Sequence, residues 1–224
     1  MCKYVVFDLE MCNVPYSVRK GTGFIPMETI QIGAVLVDEK LEIIDEFSTY
    51  VSPEKGWIDS KIHRLTGISN EDISGAPAFK EAITSFFNWI PKDAKMVSWS
   101  DSDEIQIRSE LTNKNIEIAG LDDIFDGLID CQKAFGERIH VERSYGLKDA
   151  LCVADIIYED GLHNGLVDAY NTALLFIKME REPVLRLNSY YKNILMDEEE
   201  EESRCSSTLE SLFSNLDLSG IAVA

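Results

Sequence analysis

The sequence predicts an α/β domain: a mixed β-sheet of about five strands flanked by helices. The chain opens with three β-rich segments that can pair as a meander, and helix-like and strand-like segments then alternate. Of its 224 residues 45% are hydrophobic, which is enough for one buried core and untypical of a disordered chain. One domain, with or without a tail, is therefore expected.

Short segments rich in β-branched and aromatic residues predict the strands. They cover residues 3–10, 28–38, 43–52 and 95–99. Residues 11–27, between the first two strands, are rich in Pro, Gly and polar residues, which indicates a long loop.

Four helices are predicted, and in the first and the last of them apolar residues recur at helical spacing. They cover residues 76–90, 102–111, 146–154 and 165–182. The first contains Phe79, Phe86 and Phe87 on an apolar face, which predicts core packing. The second begins at Ser and Asp residues that are typical of helix N-caps.

The amino-acid composition changes near Met196. Six consecutive acidic residues, Asp197–Glu202, are followed by a Ser-rich segment with a weak apolar pattern. We therefore expect a domain over 1–196 and an acidic tail over 197–224. Such a charge block is typical of a solvated tail, and the alternative is a short amphipathic helix that docks on the domain or on a protein partner.

Composition limits the classes of function. With 21 basic and 40 acidic residues the net charge is −19, which argues against a passive nucleic-acid binder. No apolar run is long enough for a membrane span, and the early carboxylates Asp8 and Glu10 disfavour a signal peptide. Five cysteines without a C-x-x-C motif predict reduced thiols in a cytoplasmic protein.

Asp8 and Glu10 lie two residues apart on the first predicted strand. Period-two alternation places both side chains on one face of the sheet. Two buried carboxylates repel each other unless a cation lies between them. A divalent metal site and a solvated strand end are the two interpretations of this pair.

Two further elements carry acidic residues at helix starts. Asp101 and Asp103 follow the strand at 95–99, and either could be a helix cap or a ligand. His163 precedes the last helix and Asp168 lies one turn into it, so we expect His163 to reach the same region from the loop or first turn. Four carboxylates suit two Mg²⁺ or Mn²⁺ ions, and a neutral histidine can take a proton from water.

Taken together, these motifs resemble the DEDDh-type (DnaQ-like) 3′–5′ exonucleases, which have a ribonuclease-H-like fold. The resemblance rests on FDLE (7–10), ETIQIGAVLVD (28–38), LTGIS (65–69), SWSDSD (98–103), YGLKDAL (145–151) and HNGLVDAYNTALLF (163–176). It covers roughly residues 1–180 and is similar in flavour to the KapD-like and Eri-type branch. Gly165 and Ser100 replace a common Ala and a common Gly of the family, and both are small residues.

The resemblance implies a metal-dependent nuclease that releases nucleoside 5′-monophosphates from the 3′ ends of single-stranded RNA or DNA. It assigns two Mg²⁺ or Mn²⁺ ions to Asp8, Glu10, Asp103 and Asp168, with Asp103 preferred to Asp101, and a general base to His163.

Substrate contacts are a weaker expectation. Leu9 and Met11 are expected to contact the terminal base, with core packing as the alternative. Glu28 is expected to support the site or to contact the 3′-hydroxyl. An oligoribonuclease limited to very short RNA and a non-catalytic interaction module remain as alternatives, and the sequence does not choose RNA over DNA or predict the oligomeric state.

Overall fold

The computed structural model describes residues 2–18, 26–161 and 163–191. Five strands form one mixed sheet: β1 (Lys3–Asn13), β2 (Met27–Val37), β3 (Ile43–Tyr50), β4 (Ala94–Ser98) and β5 (Ile129–Asp130). Their order across the sheet is β3-β2-β1-β4-β5. β1, β2 and β3 pair antiparallel as the predicted meander, whereas β4 is parallel to β1 and β5 is parallel to β4.

Helices cover both faces of this sheet. They are α1 (Ser60–Thr66), α2 (Phe79–Trp89), α3 (Ser102–Asn113), α4 (Leu121–Phe125), α5 (Cys131–Ile139), α6 (Leu147–Val153) and α7 (Gly165–Arg181). Residues of α5, α6 and α7 form one apolar cluster against the sheet, and residues of α2, α3 and α4 form another. The predicted fold class, a mixed five-stranded sheet flanked by helices, is confirmed.

β1 is buried on both of its faces. Val6 packs in the cluster under α7, whereas Val5 and Phe7 pack in the cluster under α2. All three side chains are fully buried, and burying such a side chain contributes about 1.5–3 kcal/mol. β1 is therefore the central strand on which a site can be fixed rigidly.

Several boundaries differ from the sequence predictions. β1 continues to Asn13 rather than ending at Glu10, because it stays paired with β2 past an irregularity between Glu10 and Met11. The loop predicted from residue 11 therefore begins later.

Four short elements were not predicted: α1, α4, β5 and α5. The first three have seven, five and two residues, too few for a clear period. The tail at 197–224 and the boundary at 196 lie outside the described residues and stay predictions. Among the described helices, none is both long and apolar enough to cross a membrane.

Candidate active site

The first two carboxylates lie at the carboxyl-terminal half of β1. Asp8 is opposite Gly33 and Glu10 is opposite Gln31 on β2. Strand alternation puts both side chains on the face that α7 covers. Glu10 is only 8% exposed and Asp8 is half-buried. The predicted shared face is therefore present.

Asp168 reaches the same face from the first turn of α7. The Asn164 side chain caps this helix by accepting hydrogen bonds from the backbone N–H groups of Leu166 and Val167. The backbone of Gly165 passes directly over Gly33 of β2, where a Cβ atom would lie 2.1 Å from the Gly165 carbonyl carbon. This close approach lowers the helix onto the sheet and brings Asp168 to Asp8.

Asp8, Glu10 and Asp168 form a cluster suited to a cation. One oxygen from each carboxylate lies within 4.8 Å of the other two. Asp168 Oδ1 is buried and has no hydrogen-bond partner in the described part of the chain. An all-carboxylate set with an unsatisfied oxygen fits a hard divalent ion such as Mg²⁺ or Mn²⁺.

Asp103 lies beside this cluster, whereas Asp101 does not. Asp103 is 4% exposed, and its Oδ1 accepts a hydrogen bond of 3.3 Å from the Leu9 backbone N–H. Asp101 is exposed and pairs with Lys133 at 3.2 Å. Asp101 occupies the N-cap position of α3 but makes no capping hydrogen bond with its side chain, and Asp103 lies in the first turn of the helix. The geometry supports the choice of Asp103, although its oxygens are not among those within 4.8 Å.

His163 stands on the loop immediately before the Asn164 cap. Its side chain is exposed and its backbone is in the left-handed region, with a φ of 70°. Its backbone N–H donates a 2.9 Å hydrogen bond to Asp168 Oδ2. His163 is thus outside the helix and tied to a carboxylate of the cluster, as the sequence predicted. Its role as a base stays a prediction.

Burial makes the four carboxylates hard to ionise together. Desolvation raises the pKa of Asp8 well above its usual range, and repulsion from Asp103 and Asp168 adds to it. Burial likewise raises the pKa of Glu10 to about 8. The pKa of Asp103 is raised to about 7 by burial, despite the stabilising Leu9 N–H. Such a site takes up protons or cations to offset its charge.

The expected substrate contacts have different surroundings. Leu9 is 4% exposed within the apolar cluster under α2, and Met11 packs against that cluster while remaining partly exposed. Glu28 is buried, and its carboxylate accepts hydrogen bonds from Lys114 Nζ and from the backbone of Lys55 and Gly56. Direct substrate contacts by these three residues stay predictions.

Gln31 is a site residue that sequence reasoning missed. Its Oε1 accepts a 3.0 Å hydrogen bond from the Gly165 N–H, and its Nε2 lies 3.4 Å from Asn164 Oδ1. It therefore ties the helix cap to the strand next to Glu10. A polar residue between the apolar Ile30 and Ile32 was the available signal.

The sequence is similar to those of known exonucleases and polymerase subunits. The model of the Exonuclease family matches residues 5–176, most of the chain. DNA polymerase III subunit epsilon of Buchnera aphidicola is 27% identical over 183 residues, covering 79% of this chain and 74% of that protein. ERI1 exoribonuclease 2 of Xenopus laevis is 29% identical over 177 residues, covering 68% of this chain and 25% of that protein.

A solved structure confirms the fold. The nuclease domain of 3′hExo, described as a DEDDh family member bound to rAMP, superposes with a TM-score of 0.69 at 22% identity. The match covers 84% of this chain and 96% of that one. Because the family model matches most of its length, the chain belongs to the Exonuclease family, and the predicted DEDDh-type 3′–5′ exonuclease is confirmed.

Proposed function

We propose that this enzyme removes nucleotides one at a time from the 3′ end of single-stranded RNA or DNA and releases nucleoside 5′-monophosphates. The observation that carries the proposal is the buried carboxylate cluster at the end of β1, with His163 beside it. A strand end, not a duplex, suits a chain of net charge −19, which has little long-range attraction for long backbones.

The ligands of two Mg²⁺ or Mn²⁺ ions would be Asp8, Glu10, Asp103 and Asp168. When bound, such ions lower the pKa of water and stabilise charge on the scissile phosphate. The two ions, their identity and this ligand set are parts of the proposal. The unpartnered Asp168 Oδ1 and the raised carboxyl pKa values support it.

The protein's own groups complete the chemistry. The exposed imidazole of His163 would accept the proton of the attacking water. The backbone N–H of His163 donates a 2.9 Å hydrogen bond to Asp168. This bond fixes the backbone of His163 relative to the Asp168 carboxylate. Gln31 and Gly33 hold the start of α7 on the sheet, which keeps Asp168 close to Asp8.

The proposal includes both RNA and DNA as substrates. The relatives include a subunit of a DNA polymerase and an exoribonuclease, so the names alone favour neither. A cytoplasmic location and a protein partner for the tail are also proposals, the first from the cysteine pattern and the second from the acidic run.

A cleavage assay tests the function. Single- and double-stranded RNA and DNA labelled at the 5′ end are incubated with Mg²⁺ or Mn²⁺. We expect a ladder that shortens from the 3′ end of single strands and disappears with EDTA, in Asp8→Asn and in His163→Ala. Wild-type protein that leaves every strand intact with both metals contradicts the proposal, and cleavage confined to strands of a few nucleotides assigns the enzyme to very short RNA.

A further inference from the structure

Trp57 is a large aromatic side chain on the surface beside the active site. It is 60% exposed. Its backbone N–H donates a 3.1 Å hydrogen bond to the carbonyl of Asn13, which forms an antiparallel bridge with it at the end of β1. Asn13 follows Glu10 by three residues, about 10 Å along a strand. Because more than half of its surface is exposed, the Trp57 side chain contributes little to the core.

Trp57 and Asp103 lie along the same edge of β1. β4 pairs with β1 only over Lys3–Val6, so the rest of that edge has no strand neighbour in the described residues. Backbone groups two residues apart on a strand point to the same edge. Asp103 docks on this edge at Leu9 and Trp57 docks on it at Asn13. Asp103, beside the carboxylate cluster, and Trp57 are therefore placed along one edge of the same strand.

A buried ion pair holds the turn that presents Trp57. Glu28 accepts hydrogen bonds from the backbone N–H of Lys55 at 2.7 Å and of Gly56 at 2.5 Å. Lys114, whose side chain is 8% exposed, pairs with Glu28 at 2.9 Å and with Glu54 at 3.0 Å. Each of these bonds fixes the turn in the free protein, which lowers the entropy cost of binding through Trp57.

Basic residues flank Trp57 in the sequence. Lys55, Lys61 and Arg64 are exposed, and the single acidic side chain in segment 55–64, Asp59, is engaged as the cap of α1. This segment is positive in a chain of net charge −19. An aromatic platform with neighbouring cations is the arrangement that binds unpaired bases and their phosphates.

We propose that Trp57 stacks on an unpaired base close to the 3′ end of the substrate strand and so contributes to strand affinity. The proposal rests on the proposed function, because it places the strand end at the carboxylate cluster. Glu28 and Lys114 then act as positioning residues for the turn.

The test combines a protein change with a substrate change. Full-length wild type, Trp57→Ala and Trp57→Phe are assayed on the single strand that wild type cleaves, and on strands that lack one base at each of the last few positions. Val184→Ala, which removes another exposed apolar side chain, is the matched control.

Stacking on one base predicts a KM about 5- to 100-fold higher for Trp57→Ala, with kcat within about twofold of wild type. Trp57→Phe and Val184→Ala should stay close to wild type. At one position, removal of the base should raise the wild-type KM by a similar factor and leave Trp57→Ala unchanged. That loss of additivity identifies the stacked base, which a folding defect would not do.

Two results overturn the proposal: a wild-type KM for Trp57→Ala, or equal penalties for base removal in Trp57→Ala and wild type. If wild type cleaves no strand, the proposed function fails instead. In that case the Kd of each strand is measured by fluorescence anisotropy with the same variants. The ratios of variant Kd to wild-type Kd then test the Trp57 proposal in place of the KM ratios.

Discussion

Gly33 of β2 and Gly165 of α7 meet backbone to backbone. A Cβ atom on Gly33 would lie 2.1 Å from the Gly165 carbonyl carbon, and one on Gly165 would lie 3.2 Å from the Asp8 carbonyl oxygen. Only glycine at position 33 allows the helix to approach the sheet this closely. The contact sets the height of Asp168 above β1.

Gly33→Ala should therefore move the start of α7 away from the sheet. We expect a loss of about 1–3 kcal/mol in the free energy of unfolding, as for overpacked cores, together with a drop in kcat. Urea denaturation and the cleavage assay measure the two effects. Gly146→Ala is the control, because its Cβ would meet nothing closer than the Asp149 carboxylate at 3.9 Å. Equal stability of the two variants would show that α7 tolerates the added methyl group.

Asp103 and Asp101 should differ sharply in their effect on catalysis. Asp103→Asn changes a buried carboxylate that touches the backbone of Leu9, and we expect kcat to fall by about 100-fold or more. Asp101→Asn changes an exposed group paired with Lys133, and kcat should stay within about twofold. Steady-state kinetics at saturating Mg²⁺ compares them, and the reverse order of effects would assign the ligand role to Asp101.

The metal-free protein should lose stability as the pH rises. The carboxyls of Glu10 and Asp103 have pKa values of about 8 and about 7 in the folded protein, whereas unfolded carboxyls titrate near pH 4. The folded state therefore binds more protons in between, so the free energy of unfolding falls from about pH 5 to about pH 9.

Melting curves with EDTA and with Mg²⁺ measure this effect. Since Mg²⁺ replaces the protons, it should raise Tm more at about pH 8.5 than at about pH 6. Glu10→Gln should flatten the pH dependence seen in EDTA. An apo Tm that increases across the same range would contradict the buried, uncompensated carboxylates.

Removal of Lys114 should strongly destabilise the fold. The change Lys114→Met leaves Glu28 and the fully buried Glu110 without their cation, and losing one partner of a buried pair costs about 3–5 kcal/mol. Lys133→Met removes a cation whose side chain is 66% exposed, and should leave the free energy of unfolding almost unchanged, because exposed ion pairs contribute little. Chemical denaturation compares them, and equal losses would mean that the buried pair is not stabilising.

Much of the fold could be predicted because the large elements carry clear local signals. The meander follows from its β-branched and aromatic segments, α2 and α7 follow from helical apolar spacing, and α3 follows from the Ser and Asp residues at its start. α1 and β5 could not be predicted in this way, because seven and two residues do not establish a period. β1 extends past Glu10 through its pairing with β2, and that is a tertiary effect.

Some residues of the site could be predicted from the sequence and others could not. Asp8, Glu10, His163 and Asp168 could be named from their motifs, because acidic residues at a strand end and a helix start are local signals. Gln31 and Gly33 could not, since their importance depends on the approach of α7, more than 130 residues away in sequence. Glu28 was expected near the substrate, and its surroundings became visible only with Lys114 beside it.

The identity of the first released product shows whether the enzyme removes single nucleotides from the 3′ end. A single strand carrying its label in the 3′-terminal nucleotide is incubated with wild type, Asp8→Asn and Asp101→Asn in the presence of Mg²⁺ or Mn²⁺. We predict that wild type and Asp101→Asn release the label as nucleoside 5′-monophosphate and that Asp8→Asn releases none. Label released within an oligonucleotide or as a 3′-phosphate, or released equally well by Asp8→Asn, would contradict it.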